Sequence, residues 1–89
     1  MAKMIAAHEI KVNQTYGILT NAGANTGIWT IAKVVKVSAI YATYEVTTGP
    51  GRVEKRKCKV TDIYDAAECA AETIRNRPEY AGNYTQYLG

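Results

Sequence analysis

The sequence predicts a mainly β (α+β) domain: a small, strongly bent antiparallel sheet or barrel, then one helix at about residues 65–77 and a tyrosine-rich tail. Three observations lead to this prediction. Residues 28 to 60 are dense in β-branched and aromatic side chains, which favour strands. A Gly-Pro-Gly turn divides this stretch, and such turns connect antiparallel strands. The alanine- and glutamate-rich segment that follows is typical of a helix.

Length and composition indicate a single globular domain, residues 1–89, with 47 % hydrophobic and 21 % charged residues. The net charge of +3 permits a nucleic acid or an acidic protein surface as partner, but requires neither. No apolar run approaches the ~20 residues of a membrane span, and the apolar start is too short for a signal-peptide core. We therefore expect a cytoplasmic protein with no membrane partner.

The first half of the chain predicts a β segment, a loop and a strand. Ile10 and Val12 alternate with polar residues in the segment 4–20, where Gly17 indicates a bulge or a sharp bend. Residues 20–27 are small, polar and glycine-rich, as in a surface loop. They match neither common phosphate-binding glycine motif.

The strand predicted at residues 28–37 carries two lysines whose spacing requires an irregularity. Lys33 and Lys36 both point outward only if a bulge lies near Val34 and Val35. Such a bulge also bends the strand. Trp29 is expected at the edge of the barrel, partly exposed.

Residues 40–48 alternate most regularly, and residues 49–51 form the hairpin turn. A three-residue loop pairs Thr48 with Arg52 and so fixes the register. Arg56 then falls inward at the rim, with its charged head in water. The predicted inward set is Ile40, Ala42, Tyr44, Val46, Cys58 and Val60. The predicted outward set is Tyr41, Thr43, Glu45, Lys55, Lys57 and Lys59.

The predicted helix starts with Asp65 and Glu68 in the positions of a capping box and ends before Pro78. Its predicted buried face consists of Ala67, Ala70, Ala71 and Ile74. The tail, residues 78–89, has two interpretations. It is either an extended segment that covers a sheet edge or stays mobile, or an aromatic patch for binding. In the second case its anchors are Tyr80, Tyr84 and Tyr87.

The order of these elements resembles that of SH3-like small barrels over residues 10 to 64. A first strand with the sequence Tyr-Gly-Ile-Leu at residues 16–19 is followed by a long loop and a three-stranded meander. The resemblance implies a small, strongly bent barrel. The glycine-centred pattern of some RNA-binding barrels and the acidic loop and Trp pair of peptide-binding SH3 domains are absent from the sequence.

The sequence predicts a binding protein without enzymatic activity, cofactor or metal. His8 is the only histidine, so no nucleophile–base set with an orienting partner can be assembled from it. Cys58 and Cys69 match no metal-ligand spacing and are expected as free thiols, packed as small hydrophobic groups.

Nucleic-acid binding, to single strands or to the backbone, is the first functional hypothesis. Cations contact phosphates and aromatic rings stack on bases. The residues expected to do so are Lys33, Lys36, Tyr41, Arg52, Lys55, Lys57, Lys59 and Trp29. The alternative explanation of these lysines is that they protect a sheet edge from aggregation.

A protein–protein interaction module is the second hypothesis. The basic strand would dock on an acidic partner surface, with the tail tyrosines as anchors. Small bacterial or phage accessory proteins that act as inhibitors or adaptors, some of them on nucleic-acid enzymes, belong to this class. A third hypothesis is a homodimer formed through an exposed edge strand.

Overall fold

A computed structural model describes residues 2–88, and its fold is α+β, a five-stranded antiparallel sheet with short helices. The strands are β1 (Thr15–Ile18), β2 (Thr30–Val37), β3 (Tyr41–Gly49), β4 (Arg52–Lys59) and β5 (Ile63–Tyr64). Their order in the sheet is β4-β3-β2-β1-β5. Within residues 2–88, β4 and β5 do not pair with each other. The sheet is therefore open, and the predicted alternative of a closed barrel is wrong.

The predicted irregularity in β2 is confirmed at Val35. Val34 pairs with Tyr44 and Lys36 pairs with Thr43, so two steps along β2 correspond to one along β3. Val35 is the extra residue of a β-bulge, which locally increases bend and twist. Because of it, two lysines three positions apart face the same side of the sheet.

The predicted register of the hairpin is confirmed along most of its length. Tyr41 pairs with Lys59, and this one-for-one register continues to the pair of Thr47 with Val53. Next to the turn it shifts by one residue, because Gly49 rather than Thr48 pairs with Arg52. The turn includes Gly51, whose φ of 70° lies in the left-handed region that favours glycine.

The core lies on one face of the sheet and agrees in part with the predicted inward set. Ala42, Tyr44 and Val60 are buried, and Val46 and Cys58 are partly buried against them. Ile40 is 60 % exposed, so its assignment to the core is wrong. It precedes β3 in the turn that follows β2, where the strand alternation does not yet apply. The remaining buried members are Ile10, Ile18, Ala32, Val34 and Ile63.

The N-terminal segment is less regular than predicted. A 3₁₀ turn, Ala7–Glu9, precedes Ile10, and no strand spans residues 9–13. Ile10 is buried, but Val12 is 48 % exposed, because Asn13 with φ 72° turns the chain into β1. Near β5, the Ile5 N–H donates to the Ile63 carbonyl at 2.9 Å. This segment therefore covers the β5 edge and leaves β4 as the open edge.

The predicted loop at residues 20–27 contains a short helix, α1 (Asn21–Thr26). Thr20 caps it by accepting a hydrogen bond from the Gly23 N–H at 3.0 Å. Gly27, with φ 74°, ends it in the left-handed conformation. These two capping signals did not predict a helix in the sequence, because the segment between them has no apolar face.

Helix α2 (Ala66–Asn76) confirms the predicted helix. Asp65 caps it through a 3.0 Å hydrogen bond from the Glu68 N–H. The Glu68 carboxylate does not close a capping box and instead accepts from the Lys3 N–H at 3.1 Å. The buried residues of α2 are Cys69, Ala70 and Thr73. Ala71 is exposed, so its assignment to the buried face is wrong.

Gly17 explains the orientation of α2. It pairs regularly with Ile31 and Tyr64, so the predicted bulge or bend at Gly17 is wrong. A Cβ at this position would collide with the Sγ of Cys69 and lie 2.8 Å from its Cβ. Glycine is therefore present because α2 packs closely on β1, with Cys69 directly above it.

The tail is neither extended nor detached over the residues described. Two 3₁₀ turns, Pro78–Tyr80 and Thr85–Tyr87, flank helix α3 (Ala81–Tyr84). All three pieces pack against α2. Gly89, the last residue of the predicted tail, lies outside the described residues.

Candidate nucleic-acid interface

Five lysines of β2 and β4 lie on the face of the sheet opposite the core. Directly opposed residues of antiparallel strands project from the same face, so the register defines two complete rows across three strands. One row is Lys33, Glu45 and Lys55; the next is Lys36, Thr43 and Lys57. Tyr41 and Lys59 form a third, shorter row. We call these eight residues the lysine face.

The side chains of the lysine face that carry positive charge are accessible to solvent. Each of the five lysines is exposed, and Tyr41 is 48 % exposed. Alternate residues of a strand are about 6.6 Å apart, and neighbouring strands about 4.8 Å. The cations therefore form a two-dimensional array rather than a single line.

These lysines form no ion pair with another residue of the described range 2–88. The ion pair formed among residues 2–88 joins Arg56 Nη2 and Glu54 Oε2 at 3.0 Å, on the other face of β4. Glu45 lies between Lys33 and Lys55 in its row without an ion pair to either in the described part of the chain. As far as the described residues show, the charge of the lysine face is therefore not neutralised by a neighbouring carboxylate.

A small surface cavity of about 110 Å³ lies within the lysine face. Its lining includes Lys36 and Lys57, with Tyr41, Thr43 and Ser38. Ser38 is fixed by two hydrogen bonds with the backbone of Tyr41, at 3.1 and 3.2 Å. The ammonium groups of Lys36 and Lys57 at one cavity suit an oxyanion such as a phosphate oxygen, whereas the Ser38 hydroxyl donates its proton to the Tyr41 carbonyl and holds the turn. The place of Ser38 at this cavity could not be predicted from the sequence, because it depends on the fold.

The structure does not bring Arg52 to the lysine face. Alternation along β4 places it with Glu54 and Arg56, on the opposite side from Lys55. It also lies beyond the register shift, next to the turn. We therefore remove Arg52 from the candidate interface.

Trp29 is a structural link rather than a free aromatic ring. Its indole N–H donates to Glu72 Oε2 at 2.9 Å, and its backbone N–H donates to Thr73 Oγ1 at 3.0 Å. Its ring packs against that of Tyr64 with centroids 4.9 Å apart. Trp29 thereby joins the start of β2 to α2, and one side of it lines a neighbouring groove.

The three tail tyrosines differ in how firmly they are held. The Tyr84 hydroxyl donates to the Trp29 carbonyl at 2.7 Å, and the Tyr84 and Tyr87 rings meet nearly edge to face, 6.2 Å apart. Burial, followed by the neighbouring Tyr87 and Tyr80, raises the pKa of Tyr84. Tyr80 is 37 % exposed. All three rings line one cavity, and Tyr84 and Tyr87 also line a second one that reaches Lys33 and Glu45 of the lysine face.

Both cysteines are free thiols, as predicted. Burial, with a smaller contribution from Asp62, raises the pKa of Cys58 to about 11. Burial, with smaller contributions from nearby carboxylates, raises the pKa of Cys69 to about 12. A protonated thiol is a poor nucleophile and metal ligand, so neither cysteine is activated. Within residues 2–88, no three His, Cys, Asp or Glu side chains are grouped to hold a metal ion.

Comparisons with protein-family models, curated proteins and solved structures found no match. The helices of the described chain include none that is long and apolar enough to cross a membrane. The candidate interface therefore rests on the geometry of this molecule alone.

Proposed function

We propose that this protein is a non-enzymatic binding protein that engages the phosphate backbone of a nucleic acid through the lysine face. Two of the face's lysines, Lys33 and Lys36, lie on β2, which pairs with β3 on one side and, up to Lys33, with β1 on the other. Lysines on an edge strand are explained by protection against aggregation. That explanation accounts for the lysines of β4 but not for Lys33, which lies between two paired strands. The alignment of Lys33 and Lys36 with the edge lysines by the Val35 bulge is the observation that carries the proposal.

Charge supports the proposal further. The rows place five cations around one carboxylate, Glu45, on a surface without internal ion pairs among residues 2–88. Such an arrangement repels itself and is stabilised by an anionic ligand. A polyanion gains most, because several lysines release its counterions together. The solvent-exposed ring of Tyr41 adds a surface for stacking.

The experiment is a titration of labelled single-stranded and duplex oligonucleotides at several salt concentrations, read by fluorescence anisotropy. Backbone binding gives a linear fall of log K with log salt, by about 0.7 to 0.9 for each phosphate neutralised. The double variant K36Q/K57Q should bind more weakly and with a slope reduced by up to about 2. Binding that does not depend on salt, or no binding at low salt, contradicts the proposal.

The matched control is the double variant K3Q/K11Q, which removes the same charge from exposed lysines elsewhere. It should retain nearly the wild-type affinity and slope, since a local array and not the net charge of +3 makes the contacts. An equal loss in both double variants would mean that the lysine face has no special role.

A second function is favoured by the open edge of β4. Among residues 2–88 no strand pairs with its outer side, and its exposed residues include Lys55, Arg56, Lys57 and Lys59. An extended acidic segment of a partner protein could add to this edge as a further strand. In this second function the protein is an interaction module, such as an inhibitor or adaptor that docks on an acidic or nucleic-acid-binding surface of its partner. A partner that is retained from lysate after nuclease treatment favours it over nucleic-acid binding.

A further inference from the structure

A groove adjoins the lysine face where β2 and β3 separate. Their ladder begins at the pair of Lys33 with Glu45. The separation leaves a groove of about 620 Å³, within the ~300–1,000 Å³ of small-ligand sites.

One wall of the groove is aromatic. Tyr84 and Tyr87 line it, together with Ile31 and Trp29. The hydrogen bond from the Tyr84 hydroxyl to the Trp29 carbonyl fixes the first ring, and the edge-to-face contact positions the second. This wall is therefore preorganised, and a planar ligand would meet rings that are already in place.

The other end of the groove is shared with the lysine face. Lys33 and Glu45 belong to both, and Thr47 continues the same side of β3 along the groove. A ligand in the groove would thus offer hydrogen-bonding groups to a carboxylate and a hydroxyl. A negatively charged group attached to it would lie beside Lys33.

We propose that this groove receives an unpaired base of a single-stranded nucleic acid whose phosphates lie on the lysine face, an inference that rests on the function proposed above. Rings on one wall stack with a base, and the Glu45 carboxylate accepts hydrogen bonds from base N–H groups. In a duplex the bases are stacked and paired inside, and none reaches the groove. The protein then prefers single strands, although duplexes still bind through their backbone.

The central experiment uses the single tryptophan of the chain, Trp29, as a reporter within the groove. Unlabelled oligo(dT) and a duplex of equal length are titrated at the same salt concentration. Oligo(dT) should bind more tightly and change the Trp29 emission, whereas the duplex should bind with little change. Equal affinities with no change in emission overturn the base site and leave backbone binding intact. No binding of either oligonucleotide overturns both proposals.

Two variants of Tyr87 distinguish the stacking of its aromatic ring from the mere presence of a large apolar side chain. The Tyr87 hydroxyl makes no hydrogen bond within residues 2–88, so Tyr87→Phe retains every contact of the ring. It should bind oligo(dT) as the wild type does. Tyr87→Leu keeps an apolar side chain without the ring and should bind oligo(dT) about 5- to 150-fold more weakly, with unchanged duplex affinity.

An equal loss for both ligands in Tyr87→Leu, or no loss for oligo(dT), overturns the base site. Urea unfolding of each variant verifies its fold. If Tyr87→Leu does not fold, the comparison of oligo(dT) with the duplex by Trp29 emission decides alone. Quenching of Trp29 by an acidic peptide, with no response to oligo(dT), overturns the base site in favour of a protein ligand.

Discussion

Gly17 lies where β1, β5 and α2 meet, and the Cys69 side chain occupies the space above its Cα. We expect Gly17→Ala to lower the free energy of unfolding by about 1–3 kcal/mol, because the added methyl group forces α2 away from the sheet. Urea unfolding measures this change. Gly82→Ala is the control, since a Cβ there meets nothing within 4 Å. Gly82 lies in α3, so that variant should be unchanged or up to ~1 kcal/mol more stable. Equal losses in both would contradict the close approach at Gly17.

Cys69 makes the stability depend on pH in the alkaline range. Its thiol has a pKa of about 12 in the folded protein, against an ordinary value of 9.0. The unfolded chain therefore releases this proton from about pH 9, while the folded chain retains it up to about pH 12. The stability present below pH 9 is lost as the pH rises through this interval. Cys58, with its pKa raised to about 11, acts in the same direction.

The test is the free energy of unfolding of the wild type and of Cys69→Ala between pH 8 and pH 11. The variant should be less stable at pH 8, because it loses a buried side chain, but should show a shallower fall with pH. Cys58→Ala is the control that retains the Cys69 contribution. Identical pH slopes for the wild type and Cys69→Ala would exclude this role for the thiol.

At the scale of the element, the bulge in β2 determines which side chains share a face. In a strand without a bulge, Lys33 and Lys36 project from opposite sides. With Val35 as the extra residue, they align with Glu45 and Thr43 of β3. The spacing of two lysines within an apolar run was a sufficient signal for the bulge, because the burial of a lysine is costly.

Deletion of Val35 should therefore leave the lysine face intact. The residues around the deletion then match β3 one for one, and Lys36 remains opposite Thr43. Cross-strand proton contacts in NMR spectra measure the pairing. An alanine inserted between Thr43 and Tyr44 also balances the two strands, but it turns Lys36 and Ala42 to the wrong faces and should abolish the fold. A folded insertion variant, or Lys36 paired elsewhere in the deletion variant, would contradict this account.

The tail shows the opposite case at this scale, since its local signals did not reveal its structure. Gly82 and Asn83 interrupt the helical spacing of the tyrosines, so residues 78–88 had no regular pattern to interpret. Their short helical turns are held by tertiary contacts instead, such as the hydrogen bond from Tyr84 to the Trp29 carbonyl. This docking supplies Tyr84 and Tyr87 to one wall of the groove beside the lysine face.

At the scale of the whole molecule, the distribution of charge should affect stability. The lysine face concentrates five of the eleven basic residues, and like charges in one array repel one another. We expect the free energy of unfolding to rise between about 0.01 M and 0.15 M salt, as the screening length falls from about 30 to 8 Å. Urea unfolding at the two concentrations measures the rise.

The charge variant Lys57→Gln tests the origin of this salt effect. It should be more stable than the wild type at 0.01 M salt, by on the order of 0.3 kcal/mol, with the difference reduced at 0.15 M. Lys11→Gln, outside the array, should show a smaller gain. A salt effect equal in Lys57→Gln and the wild type would assign it to other charges.

The sequence by itself determined the strands from β2 to β4, most of the register of the β3–β4 hairpin, the bulge near Val35 and helix α2. These depend on local alternation, turn residues and helix caps, which are encoded within a few positions. The tertiary structure decided the open sheet, the orientation of α2 on Gly17, the place of Arg52 and the wall that the tail adds to the groove. Those features arise from contacts between distant segments, whose geometry no local pattern specifies. The lysine face needed both, since alternation selected its residues and the pairing of β2 with β3 brought them together.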